Sequence, residues 1–178
     1  VKNFMGSIIG KYAGISALLH PAILHLTVTN RCNLKCLMCN VWKEKPKMDI
    51  PDTVIESLLQ SSYLKDFQIV EYGGGEPFLA DLAGITEKFV EGGASFKMIL
   101  ITTNGWQTGR IREQIEKLLE IGSYSIVLNV SIDGLNETHD RLRGRAGSRE
   151  RAMETARTLK ALADRHSQLR VGIKFTIM

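Results

Sequence analysis

Cys32, Cys36 and Cys39 stand in a C-x-x-x-C-x-x-C run and are the only cysteines among 178 residues. An odd trio cannot close into disulfides, and thiols this near one another along the chain make a poor structural framework. Thiolates are soft ligands, and three are one short of the four that saturate a structural zinc or an ordinary iron–sulfur cluster. The donor set reads as the anchor of a 4Fe–4S cluster with one iron left open to a ligand from outside the protein. The alternative is a three-cysteine zinc site completed by His20 or His25. Against it, His25 falls in an apolar strand-like run at 23–28, and the sequence has no second C-x-x-C or H-x-x-x-H pair.

Four further segments carry chemistry-bearing residues: Gly73-Gly74-Gly75-Glu76-Pro77, Asn104-Gly105, Ser131-Ile132-Asp133-Gly134, and His139-Asp140-Arg141-Leu142-Arg143-Gly144. Any one of them passes for a turn. Taken with the cysteine spacing, the set resembles the radical S-adenosylmethionine (radical SAM) superfamily, closest in pattern to members that modify peptides or build cofactors. The resemblance covers 22–178. It implies that the open iron chelates the amino and carboxylate groups of S-adenosylmethionine. One electron from the reduced cluster then breaks a carbon–sulfur bond, and the 5′-deoxyadenosyl radical so formed abstracts hydrogen from a substrate. The protein's share of that work is to bind, orient and shield.

Roles for individual residues follow from the same resemblance. Gly74, Gly75 and Glu76 match the motif that holds the methionine amino group, where glycine admits a close backbone and a carboxylate complements an ammonium. Ser131 and Asp133, on one side of a strand by alternation, match the polar residues of the fourth strand, of which the serine touches the cofactor. Asn104 joins the cofactor-binding set at the end of the third strand. Arg143 matches an arginine that forks onto the methionine carboxylate, a task suited to guanidinium. Met38 stands where the family often has an aromatic residue beside the adenine, and a thioether can pack on a purine face. Trp42 is a candidate cover for the cluster, and His139 is expected to order its loop.

The implied partners are a small-molecule or peptide substrate and an electron donor of the reductase, flavodoxin or ferredoxin type. Arg141, Arg145, Arg149 and Arg151 around Arg143 also permit a phosphate or nucleic-acid patch, but no aromatic residues interleave with them, so nucleic acid is not expected. A non-catalytic iron–sulfur protein on the same barrel is the competing reading. It would need neither the Gly-Gly-Glu motif nor Arg143.

Positioning these residues takes an alternation of strands and helices. Strand-like runs fall at 23–28, 67–72, 98–103, 125–132 and 171–177, several of them nearly continuous in apolar residues, as parallel strands covered on both faces are. Helical stripes lie between them. The first is marked by Val54, Ile55, Leu58 and Leu59, with Pro51 in its opening turn. The second, Leu82, Ile85 and Phe89, is stopped by Gly92-Gly93, and the third, Ile111, Ile115, Leu118 and Leu119, by Gly122. The fourth runs through Ala152, Ala156, Leu159 and Ala163, with Ser148 as its expected N-cap. Such βα alternation predicts an α/β fold, a parallel partial TIM barrel of about five strands. The cysteines and the other four segments then lie at or just beyond strand C-termini, the edge where such barrels carry their chemistry.

Composition is that of one globular domain, 44% hydrophobic and 24% charged, with a formal net charge of +4 that suits anionic ligands without indicating nucleic acid. No apolar stretch approaches the ~18 residues of a membrane span, and Gly6, Ser7, Gly10 and Lys11 interrupt any signal-peptide core. Val1, Phe4, Met5, Ile8, Tyr12, Ile15 and Leu19 predict an N-terminal amphipathic helix over 1–21 that packs on the domain or a partner. Lys2 and Lys11 are too few cations for lipid headgroups. Free thiols fit a reducing cytoplasm. Family barrels run to six βα units, and this chain starts at Val1 and stops inside its fifth strand. The expectation is a piece of a longer protein.

Overall fold

Five runs rich in aliphatic residues each form a strand. The computed structural model describes residues 21–61, 67–135 and 137–176. The strands are β1 (Ile23–Thr29), β2 (Ile69–Gly74), β3 (Met98–Thr103), β4 (Ser125–Ser131) and β5 (Leu169–Lys174). They form one parallel sheet in the order β1-β2-β3-β4-β5. The crossovers hold α1 (Asp52–Gln60), α2 (Leu82–Glu91), α3 (Thr108–Ile121), α4 (Glu137–Arg143) and α5 (Ser148–Ala163).

The core lies on one side of this sheet. Leu26, Val28, Val70, Tyr72, Ile99, Ile101, Ile126, Leu128 and Val130 are buried with Ile55, Phe89, Ile111, Ile115, Leu118 and Leu159 of the helices. Their alternates in sequence, among them Glu71, Thr102 and Asn129, are only partly buried. The apolar runs led to an expectation of cover on both faces. Among the described residues, helices pack on one, and the other is the inner wall of the partial barrel.

Several element boundaries shift by one to three residues from the sequence reading, and three of the differences have a local context. β2 starts two residues later, because Phe67 is drawn into an aromatic cluster with Phe89 and Phe96, ring centroids 5.7 Å away in each case. β5 runs from Leu169 to Lys174, earlier than 171–177, with Leu169 in the core. Pro51 is the N-cap of α1 and not part of its first turn.

Two local readings need correction. The His-Asp-x-x-Arg stretch is helical as α4, not a loop. Ser148 does not cap α5: Gly147 holds the N-cap position at φ 77°, and Asp140 reaches across to do the capping. Its carboxylate accepts from the backbone N of Gly147 (2.6 Å) and of Arg149 (2.8 Å), and from Ser148 Oγ (2.9 Å). Burial opposes the charge on Asp140, but these donors outweigh it and hold the carboxyl below its usual range.

The amphipathic stripe of 1–20 lies outside the described residues. Among the described residues no helix is long and apolar enough to cross a membrane.

Candidate functional site

The chain leaves β1 at Thr29, makes the cysteine loop and returns to the same place. Asn30 N donates to Met48 O (3.1 Å) and Ile50 N to Val28 O (2.8 Å). Asp49 clasps the loop's entrance, accepting from Thr29 Oγ1 (2.6 Å), Arg31 Nε (2.8 Å) and Arg31 Nη2 (2.5 Å). The far side of the loop rests on the end of α4. Lys35 N donates to Arg143 O (3.3 Å) and Leu37 N to Leu142 O (2.8 Å), so the loop satisfies carbonyls that a helix end otherwise leaves unpaired.

Glycines make these approaches possible. Gly75 N donates to Thr29 O and Glu76 N to Arg31 O, both at 2.8 Å. A Cβ on Gly74 would collide with the Thr29 carbonyl oxygen, and one on Gly75 with that of Arg31. The sequence reading gave these glycines the task of admitting a cofactor. In the structure they admit the chain that enters the cysteine loop.

One cavity of about 300 Å³ opens at the C-terminal edge of the sheet. It brings together every residue that the sequence assigned to the cluster or the cofactor: Cys32, Cys36, Cys39, Met38, Gly74, Gly75, Glu76, Asn104, Ser131, Asp133 and Arg143. Trp42 lines it as well, and its indole Nε1 donates to Cys36 O at 3.3 Å.

Glu76 is 2% exposed and accepts from Thr103 Oγ1 (2.7 Å), Asn104 N (2.8 Å) and Phe78 N (3.4 Å). Burial pushes its carboxyl up to about 7, against those donors and the nearby Arg143 charge. A buried carboxylate in this position is short of positive charge. The same burial pushes the Cys32 and Cys36 thiols up, opposed at Cys32 by the Leu34 backbone and at Cys36 by Arg143.

Arg143 and Asp133, assigned separately to a ligand from the sequence, are partners of each other. Arg143 Nη2 lies 2.6 Å from Asp133 Oδ2, and Nη1 donates to Cys36 Sγ at 3.8 Å. The buried Nε of Arg143 has no hydrogen-bond partner, which leaves one donor of the fork for an anionic group. Asp133 Oδ1 accepts from Thr176 N (3.1 Å), and Asp133 N donates to His139 Nδ1 (3.0 Å). His139 therefore takes the neutral form with its proton on Nε2, and burial, then Arg143, lowers its pKa. It fixes the turn after β4.

The donor set fits a cluster better than a single ion. Three thiols line the cavity, yet among the described residues no three His, Cys, Asp or Glu side chains converge where one ion could be shared. His25 lines the same cavity, but its Nδ1 faces Glu71 Oε2 at 3.1 Å. Cluster irons each take their own thiolate, so the sulfurs need not meet at a point. Sequence reasoning missed Thr103, Asp49 and the Asp133–Arg143 pairing. Thr103 was within reach, standing beside Asn104 at the same strand end. Asp49 carries no local signal.

Comparison with known proteins agrees with this geometry. The model of the radical SAM superfamily matches residues 26–176, and the chain belongs to that family. It is 30% identical over 145 residues to the sporulation killing factor maturation protein SkfB of Bacillus subtilis, covering 78% of this chain and 33% of that protein. It is 31% identical over 155 residues to the pre-heme d1 synthase of Dinoroseobacter shibae, covering 84% of this chain and 35% of that protein. Among solved structures, native anSMEcpe with bound AdoMet and Cp18Cys peptide superposes with a TM-score of 0.60 at 23% identity, covering 86% of this chain and 41% of that one. That likeness establishes the partial-barrel fold. The family uses a 4Fe–4S cluster and S-adenosylmethionine. The chain spans about a third of the length of the two curated relatives named.

Proposed function

We propose that this chain carries the cluster- and S-adenosylmethionine-binding part of a radical enzyme that takes hydrogen from a peptide or small-molecule substrate. The observation that supports it best is the meeting of three thiols, a buried carboxylate and a half-satisfied arginine in one cavity. When bound, the cluster and S-adenosylmethionine supply an electron and a carbon–sulfur bond whose cleavage yields the hydrogen-abstracting radical.

The chain's own residues bind and orient. Cys32, Cys36 and Cys39 hold the cluster and leave one iron free. Glu76, whose charge burial disfavours, accepts from the methionine ammonium and gains the cation it lacks. Arg143 offers Nε to the methionine carboxylate, while Asp133 holds the guanidinium in place through Nη2. Met38 packs on the adenine, Ser131 and Asn104 contribute polar contacts, and Gly74 and Gly75 keep the cysteine loop seated on β2. The alternative of a bare electron carrier leaves the buried Glu76 and the open donor of Arg143 without a purpose.

The curated relatives are named as a maturation protein and a synthase, and one structural neighbour was crystallised with a peptide. These names support a peptide or a cofactor precursor as substrate. An external one-electron donor and a reducing cytoplasm, the setting that suits free thiols, belong to the same proposal. The test is made on full-length protein, reconstituted anaerobically and given dithionite with S-adenosylmethionine. Four irons and four sulfides per chain and formation of 5′-deoxyadenosine are expected, both lost when the three cysteines become alanine. Zinc in place of iron, or iron retained by the triple variant, would sink the reading.

A further inference from the structure

Two side chains donate to cysteine sulfurs, and they differ in charge. Asn104 Nδ2, a neutral amide, lies 3.9 Å from Cys32 Sγ, whereas Arg143 Nη1, a full cation, lies 3.8 Å from Cys36 Sγ. Among the described residues no other cationic side chain donates to a cysteine. Cys36 is also the buried member of the trio, so water screens the arginine poorly at that sulfur.

Asp133 answers that charge. Its side chain is 0% exposed, and Oδ2 lies 2.6 Å from Nη2 of the same guanidinium. This oxygen has no other partner. Thr176 N holds Oδ1, and His139 Nδ1 holds the Asp133 backbone N–H, so the carboxylate is fixed against the arginine from its far side. Glu76, the other buried acid of the cavity, takes its hydrogen bonds from Thr103, Asn104 and Phe78 instead. A cation at a cluster thiolate favours the reduced, more negative cluster and so raises its potential. A carboxylate against that cation offsets the effect. Breaking a sulfonium carbon–sulfur bond with one electron calls for a strong reductant. An uncompensated arginine at Cys36 would therefore work against the chemistry that Arg143 otherwise serves.

We infer that Asp133 is a positioning residue that keeps the cluster strongly reducing: it cancels the Arg143 charge at Cys36 while leaving the guanidinium and its free Nε in place. The inference rests on the reading of the cysteines as cluster ligands. It makes a prediction about signs. The Asp133–Arg143 pair is neutral. Asp133→Asn leaves it with one positive charge, Arg143→Gln with one negative charge, and the two together return it to neutrality. The two single substitutions must therefore move the potential in opposite directions, and the double substitution must cancel them. A pair that only braced the site would loosen it in either single variant, with no such cancellation.

The test uses full-length protein, reconstituted anaerobically and analysed for iron and sulfide. Its cluster is titrated with dithionite against redox mediators before any S-adenosylmethionine is added. Electron paramagnetic resonance reads the reduced fraction; each cluster gains one electron from dithionite, and no bond forms or breaks. At a fixed ambient potential, Asp133→Asn should raise the ratio of reduced to oxidised cluster about tenfold, an upward shift of about 59 mV for a one-electron couple. Arg143→Gln should lower the ratio by a similar factor, and the double variant should stay within about threefold of wild type. Arg141→Gln removes an exposed cation from the same helix and should change the ratio less than about twofold, because water screens it. Single variants that shift in the same direction overturn the inference. If Asp133→Asn fails to hold its cluster, the comparison of Arg143→Gln with the double variant still decides, since equal potentials there would show that the Asp133 charge has no effect. Unmodified protein that takes up no iron and sulfide would overturn the cluster reading itself, and this inference with it.

Discussion

Glu76 is held where its charge is costly, and that leaves a signature in cluster-free protein. Its folded pKa of about 7 exceeds its ordinary value, so the folded chain binds the proton more tightly than the unfolded one. The stabilisation is full below the ordinary carboxylate range, falls as pH rises towards about 7, and is gone above it. The difference amounts to roughly 3 kcal/mol. Glu76→Gln keeps the shape and removes the titration. Urea unfolding of cluster-free protein at pH 5 and pH 8 should show the wild type losing stability relative to the variant at the higher pH. His139, with a lowered pKa, tilts the curve the other way in both proteins and cancels from the comparison. An identical pH response in both would mean that Glu76 is not buried as described. At this scale the sequence was informative about identity and silent about pairing. Spacing picked out the cysteines, and the family resemblance picked out Glu76 and Arg143. The Asp133–Arg143 ion pair spans a turn and a helix, so nothing local announces it.

The cysteine loop depends on α4 as much as on β1, an arrangement that can be tested at two glycines with similar backbone. Gly144 has φ +67°, and a Cβ there would collide with the carbonyl oxygen of Lys35. Gly147 has φ +77° and would meet nothing within 4 Å. Gly147→Ala should therefore cost only the strain of a left-handed backbone, about 1 kcal/mol. Gly144→Ala must add displacement of the cysteine loop from the α4 terminus and cost about 2–4 kcal/mol in all. Urea midpoints give the stabilities, and iron bound after reconstitution should fall only for Gly144→Ala. Equal effects at both positions would mean that the contact with Lys35 does not hold the loop. The major elements were legible from periodicity, with Gly92 and Gly122 marking the ends of α2 and α3. Helix α4 was not, because its single large aliphatic residue, Leu142, gives no stripe. Nor was the capping of α5, since Asp140 stands eight residues before Ser148, far outside the local window in which capping signals work.

The whole molecule divides into a face that makes stability and a face that is free for chemistry. Ile101 and Thr102 are neighbours on β3 and point to opposite sides of the sheet. Ile101 is 1% exposed in the helix-covered core, whereas Thr102 lines the cavity with Cys32 and Glu76. The sequence does not separate these two roles, because the Met98–Thr103 run reads as continuously apolar until its last two residues. Closure of the parallel sheet towards a barrel separates them. Ile101→Ala should lose the transfer free energy of its side chain and leave a void, at a cost of about 2–5 kcal/mol. Thr102→Ala deletes a hydroxyl and a methyl from a wall that helices do not cover, and should stay within about 1 kcal/mol of wild type. Denaturant titrations of the full-length protein measure both. If the two costs were equal, the inner wall would be packed as tightly as the core and could not accommodate a cofactor and substrate. A large gap would mean that the inner wall can vary with little loss of stability, so that one scaffold with a fixed cysteine loop can present different walls to different substrates.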